Sequence, residues 1–274
     1  MSKLALSSLK NLEFEKYFKK ELQKIFPPSK TKAETLLKKS MLHTLCAPSS
    51  HFRSLLAIET TKLFFPKGYQ KIFPWALALE MFHSGSLIHD DLPLMDDGQK
   101  RRNKKCNHLV FGEDISLLAG SCLFVESFRL LTHPVFKKKA PEILNLFISK
   151  TGFKGVMLGQ CLDLKLKRPS QLEALKMMEL KTGSLIEAAI QGPALLFGKN
   201  KKEIVALKHF SKSLGVAYQL ADDLQDQDSF LKQKESRKLL QKMTRKSLQY
   251  LGALNKDCSR LKDLVYFNEK KSGL

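Results

Sequence analysis

Apolar residues recur along this chain at helical spacing, and nowhere do they alternate with polar ones over a length that would make a useful strand. The pattern predicts helices over 35–45, 75–89, 115–132, 142–163, 172–196, 204–226 and 236–254. Turn-forming residues punctuate it at Pro27-Pro28, Pro66-Lys67-Gly68, Asp97-Gly98, Pro134, Pro169-Ser170 and Gly198-Lys199-Asn200. Pro141 suits the first turn of a helix, where a missing N–H costs nothing. No linker or low-complexity block interrupts the sequence, so residues 1–274 read as a single all-α domain.

Composition agrees with helix. Glycine (14) and proline (10) are scarce in 274 residues, and the apolar stretches are rich in Leu, Ala and Met. Hydrophobic content of 43% suits a soluble globular chain. A formal charge of +20 first suggests nucleic acid. The lysines are spread along the whole chain, however, with no zinc-finger spacing, stacked-aromatic motif or basic region before heptads. Nucleic acid is therefore not an expected partner. The charge is read as solvated surface, with some of it facing a polyanionic small molecule or touching an anionic membrane surface. Five cysteines without a CxxC pair read as reduced thiols of a cytoplasmic protein. No apolar run reaches the length of a membrane span, and the N-terminus lacks the apolar core of a secretory signal.

Two acidic clusters change the picture. Gln219, Asp222, Asp223 and Asp226 fall at i, i+3, i+4 and i+7, one helical stripe, with Gly215 a turn earlier. Carboxylates on one face repel each other unless cations compensate, and Leu214, Val216, Ala217 and Leu220 beside them suggest a packed helix whose acids look into a cleft. A solvated acidic face remains an equal alternative for this cluster alone. In the other cluster, His83 and Asp90 share a side seven residues apart. Asp96 would lie off that face in an unbroken helix, but Pro93 and Gly98 break it and let Asp96 swing back. Arg101 and Arg102 follow. They read either as ion-pair partners of the carboxylates or as phosphate ligands, while hard carboxylate oxygens suit Mg²⁺.

The stretch from Glu80 through His83, Asp90-Asp91 and Asp96-Asp97 to Arg101-Arg102 resembles the first Asp-rich region of trans-isoprenyl diphosphate synthases. Tyr218-Gln219-Leu-Ala-Asp222-Asp223-Leu-Gln-Asp226 resembles their second, and Gly159-Gln160-Cys-Leu-Asp163 and Lys181-Thr182-Gly183 match two motifs between. The resemblance, over roughly 53–228, implies the isoprenoid synthase fold, a large helical bundle around a central apolar pocket. It implies Mg²⁺ ions, three with substrate bound, held by Asp90, Asp96 and Asp222, with Asp91, Asp223 and Asp226 in support. Arg101, Lys181, Thr182 and Gln219 would bind an allylic diphosphate, and Arg53, His83 and Arg102 isopentenyl diphosphate. The implied reaction is prenyl transfer from a dimethylallyl, geranyl or farnesyl starter, in a protein that is commonly a homodimer.

The residue five before the first Asp is Gly85, where shorter-chain synthases often carry an aromatic. A C20 product is therefore expected, with C15 next; the alternative is that Gly85 serves close helix packing. The sequence also departs from the family. Pro48 to Ser54 stands where the family has Gly-Gly-Lys-Arg-x-Arg-Pro, so Ser50 replaces a lysine that binds isopentenyl diphosphate. No Gly-Lys loop is recognisable after Asp228, though Lys232 or Lys234 are substitutes by position, and Ser121 replaces an Asp. These departures motivate two alternatives: a single-substrate terpene synthase or diphosphate lyase, and a non-catalytic regulatory subunit.

Overall fold

The computed structural model describes residues 11–167, 169–198, 200–226 and 231–272. Helices α1 (Leu12–Ile25), α2 (Lys32–Leu45), α3 (Phe52–Lys62) and α4 (Phe73–Asp90) precede a two-residue hairpin of β1 (Lys100–Arg101) and β2 (Lys104–Lys105). The short α5 (His108–Phe111), then α6 (Glu113–Leu130), α7 (Ala140–Thr151), α8 (Val156–Lys165) and α9 (Gln171–Met178) follow. A π-helical turn, Glu179–Gly183, leads into α10 (Ser184–Phe197), α11 (Lys201–Asp226), α12 (Gln233–Gly252) and α13 (Ser259–Lys271).

Contacts divide the chain into two compact units. One comprises Ser2–Leu55 and Phe73–Lys138. In it α4 packs on α6, α2 and α1, and α2 packs on α6. Helix α4 is buried on every side over its first two turns, with Trp75, Ala76, Leu77, Leu79 and Met81 fully enclosed, so this stretch has no solvent-facing polar stripe. The other unit comprises Leu56–Ile72 and Lys139–Leu274. There α11 is the hub, in contact with α12, α10, α13 and the π turn. Met177, Met178, Ala217, Leu220, Ala221, Leu224 and Leu240 form a core between α9, α11 and α12.

Predicted and observed helices agree where one apolar stripe runs long, as in α2, α4, α6, α11 and α12. The expected helix over 142–163 is in fact two. At Gly155 the chain turns so tightly that a Cβ would lie 2.0 Å from the Lys150 carbonyl oxygen, which only glycine tolerates. The expected helix over 172–196 is interrupted by the π turn. Helices α1, α3, α5 and α13 are additional. Of these, α1 buries Phe14, Phe18 and Leu22 and is capped by Asn11, whose Oδ1 accepts from the Phe14 N–H at 2.9 Å. The hairpin is too short for any alternation to betray it. It turns through Arg102 and Asn103, both left-handed with φ of 52° and 63°, as a two-residue type I′ turn requires. Among the described residues, no single helix is long and apolar enough to cross a membrane.

Candidate functional site

The two Asp-rich segments lie in different units, and each organises its own cluster. In the first, buried Glu80 ties α4 to the start of α3. Its Oε1 accepts from the Ser54 N–H at 3.2 Å and from the Ser54 hydroxyl at 2.9 Å. A proline at 54 would have no N–H to give, so Ser54 turns a departure from the family's motif into an anchor. The anchor fixes Arg53, itself buried, in the first turn of α3. Three residues earlier, Ser50 is half-buried, and His51 between them takes a left-handed φ of 50°.

His83 lies half-buried on α4. Burial, and after it the positive charges of Arg53, Arg102 and Arg101 and the neighbouring His51, hold its imidazole well below the usual histidine range. This favours the uncharged imidazole and leaves the positive charge beside it on the arginines.

Helix α4 stops at Asp90, and the next eight residues fold back over its end. The Asp96 N–H donates to the Asp90 carbonyl at 2.9 Å, and the Gly98 N–H to the Asp91 carbonyl at 3.1 Å. Asp96 is thus returned to Asp90, as Pro93 and Gly98 predict, with Asp90 half-buried and Asp96 exposed. Asp91 differs from both. It is buried, and its Oδ1 accepts from Arg101 Nη2 at 2.6 Å and Nε at 3.1 Å. Arg101 thus holds Asp91, and Asp91 braces the loop. Arg102 is half-buried at the hairpin turn. The Cys106 thiol beside this pair is pushed up to about 12 by burial and by its bond to Asp91.

Gly85 is buried where α4 crosses α6. A Cβ there would lie 2.8 Å from the Gly120 carbonyl oxygen and 3.0 Å from the Phe124 ring. The space that the missing side chain leaves is already filled, which is the close-packing use of a glycine. Phe124 stacks at a tilt on Phe82, with centroids 4.5 Å apart, and meets His89 edge-on at 5.1 Å.

In the other unit, the Lys181-Thr182-Gly183 motif is the π turn itself. Two glycines let its backbone come close. A Cβ on Gly159 of α8 would lie 2.1 Å from the Lys181 nitrogen, and one on Gly215 of α11 would lie 2.6 Å from the Gly183 Cα. Asp163, one turn beyond Gly159, accepts an ion pair from Lys181. The Thr182 hydroxyl donates to Gln219 Oε1, and Gln219 Nε2 donates to Asp223 Oδ1 at 2.6 Å. Thr182 and Asp223 are buried, while Lys181, Gln219 and Asp222 are half-buried. Asp222 accepts an ion pair from Lys271 of α13, a residue that sequence alone does not single out. Gln160 is also buried, and its Nε2 has no hydrogen-bond partner among the described residues, which leaves a donor for a ligand. Asp226 ends α11, but its side chain lies outside the described residues, as do Asp228 and Phe230. Lys232 caps the start of α12, and Lys234 is exposed in its first turn.

Among the described residues, no group of three or more His, Cys, Asp or Glu side chains is gathered closely enough to cage a metal. Mg²⁺ does not need one, since it commonly takes one or two carboxylates and completes its shell with water and phosphate oxygens. Asp90 and Asp222, each half-buried, offer that donor chemistry, and Asp222 already holds a cation, the Lys271 ammonium.

Comparison with known proteins gives a consistent result. Residues 34–256 match the family model described as Polyprenyl synthetase. The chain is 38% identical over 196 residues to farnesyl diphosphate synthase of Bacillus subtilis, which covers 69% of this chain and 66% of that one. It is 34% identical over 199 residues to geranylgeranyl diphosphate synthase of Cyanophora paradoxa, covering 70% and 66%. The match thus spans slightly under two thirds of these relatives' own length. In fold, the crystal structure of an FPP/GFPP synthase from Zymomonas mobilis superposes with a TM-score of 0.86 at 23% identity, covering 96% of this chain and 99% of that one.

Proposed function

The chain belongs to the polyprenyl synthetase family, and from that premise we propose that it is a prenyltransferase. It joins an allylic prenyl diphosphate to isopentenyl diphosphate and forms a longer all-trans prenyl diphosphate. The observation that carries this reading is the second cluster, where a π turn that glycines admit on both sides joins Thr182 to Gln219 and through it to Asp223, and pairs Lys181 with Asp163. An arrangement so tightly positioned, with ammonium, hydroxyl and amide donors beside carboxylates, suits a diphosphate and its counter-ions.

Asp90, Asp96 and Asp222 are the proposed ligands of Mg²⁺, with Asp223 and Asp226 in support, and Asp91 acts through Arg101. Bound there, Mg²⁺ would neutralise the charge that builds on diphosphate as it leaves. Lys181 binds allylic diphosphate oxygens, and Thr182 joins it by turning its hydroxyl hydrogen from Gln219 to the diphosphate. Arg53 and Arg102 bind the diphosphate of isopentenyl diphosphate, and neutral His83 adds a hydrogen bond. The allylic C–O bond breaks, the isopentenyl double bond attacks the allylic carbon, and a proton is lost. The product falls in the C15–C20 range; Gly85 serves the close packing of α4 on α6, and the aromatic ring beside it is that of Phe124. The protein acts in the cytoplasm as a homodimer.

The test is a product assay with Mg²⁺ and geranyl or farnesyl diphosphate, with and without isopentenyl diphosphate. Longer prenyl diphosphates formed only with both substrates are the expected result. Hydrocarbon or alcohol from the allylic substrate alone would replace the reading with a single-substrate lyase, and the absence of any turnover would remove it.

A further inference from the structure

The C-terminal helix α13 docks through Leu261, Leu264, Val265 and Asn268, all buried, at the spacing of one helical stripe. The next position on that stripe is Lys271. A lysine on the inner face of a docked helix must find a partner for its ammonium or lose the docking energy to desolvation. Here it finds two on the same face of α11. The ammonium pairs with Asp222 and lies 5.0 Å from the centroid of the Tyr218 ring, one turn before it. Both side chains of the ion pair are mostly covered, at 22% and 27% exposure, so solvent screens the pair less than it would a surface contact.

We propose that Lys271 is the resident counter-ion of Asp222, and that a divalent cation must displace it to bind that carboxylate. The inference rests on the reading of Asp222 as a metal ligand and adds to it a residue and a coupling. In the metal-free chain, the ammonium offsets the repulsion between Asp222 and the neighbouring Asp223. When the cation loads, the ammonium gives up its carboxylate and the last turn of α13 loses its tether to α11. Metal affinity at Asp222 is therefore lower than its carboxylate alone would give, and metal binding is linked to release of the C-terminal end of the helix.

The experiment measures Mn²⁺ binding to the full chain without prenyl substrate, by the loss of the free-ion EPR signal, with and without inorganic pyrophosphate. Lys271→Met is expected to bind Mn²⁺ about two- to fivefold more tightly than wild type, as expected for removal of a partly covered ion pair. Lys271→Arg keeps the wild-type affinity. In an Asp222→Asn background Lys271→Met brings no gain. Thermal unfolding in EDTA gives a second readout: Lys271→Met melts lower than wild type, and Mn²⁺ raises its melting temperature by more. Unchanged or weaker Mn²⁺ binding by Lys271→Met overturns the inference, as does a failure of both proteins to bind Mn²⁺ with pyrophosphate present. Product formation by wild type reports separately on the prenyltransferase reading, so each can fail while the other stands.

Discussion

The Cα of Gly183 lies so close to Gly215 on α11 that a Cβ on Gly215 would approach it to 2.6 Å. Backbone therefore meets backbone where the π turn reaches the helix that carries Gln219, Asp222 and Asp223. Gly215→Ala should push the turn outward and break the bond from Thr182 to Gln219. Overpacking of this kind costs about 1–3 kcal/mol. The expected outcome is a lower urea midpoint together with a KM for the allylic diphosphate raised more than that for isopentenyl diphosphate.

Arg101 and Asp91 form the ion pair that braces the first Asp-rich loop, and Asp91 is only 3% exposed on its side chain. Arg101→Met strands a buried carboxylate, at a cost of about 3 kcal/mol. Adding Asp91→Asn should recover most of that loss. Urea unfolding of the two single variants and the double variant measures the coupling. Additive effects would show that Arg101 is held by something other than Asp91.

How far the sequence discloses this arrangement depends on what each feature needs. Asp96 is foreseeable beside Asp90, because Pro93 and Gly98 mark where a helix must stop and turn back. The distinction between Asp90 and Asp91 is invisible in a run of acids; burial and the reach of Arg101 decide it. The π turn leaves no periodic mark either. Its trace is Gly159, Gly183 and Gly215, three glycines far apart in sequence whose joint purpose appears only when their backbones meet. Lys271 is one of 47 Lys and Arg residues, and only the docking of α13 sets it apart. The hairpin at Arg102-Asn103 is a matter of two left-handed residues, too local for any pattern of apolar positions.

His83 has its acid dissociation lowered from the ordinary 6.5, first by burial and then by the nearby arginines. The folded chain thus keeps a neutral imidazole where the unfolded chain gains a proton. The stability this contributes is complete above the ordinary value and falls as the pH drops below it. His83→Gln should therefore lose less stability than wild type between about pH 7.5 and about pH 5. Urea midpoints across that range check it, and parallel curves for the two proteins would contradict the neutral assignment.

Gly85 and Phe124 make separable predictions about product length. Gly85→Phe places a ring against the Gly120 carbonyl, 2.8 Å from where its Cβ would sit, so its first effect should be on folding: a melting temperature lower by several degrees. Phe124→Ala removes the ring that packs on Phe82 and beside Gly85 without crowding any backbone. It should shift the prenyl products toward longer chains, read by chromatography of the dephosphorylated alcohols. An unchanged distribution in Phe124→Ala would take this ring out of length control.

Ser50 stands three residues before Arg53, at the family position of a lysine, and is half-buried just ahead of α3. An absent charge-assisted hydrogen bond is worth about 1.5–3 kcal/mol, or roughly ten- to a hundredfold in affinity. If the segment still presents this position to isopentenyl diphosphate, Ser50→Lys should lower the KM for that substrate by about tenfold. The KM for the allylic diphosphate and kcat should change little, because the interaction is equally available to bound substrate and transition state. The left-handed backbone at His51 makes the result informative in the other direction. An unchanged KM would mean that the turn points position 50 away from the substrate, and that Arg53, Arg102 and His83 carry the recognition of isopentenyl diphosphate without it.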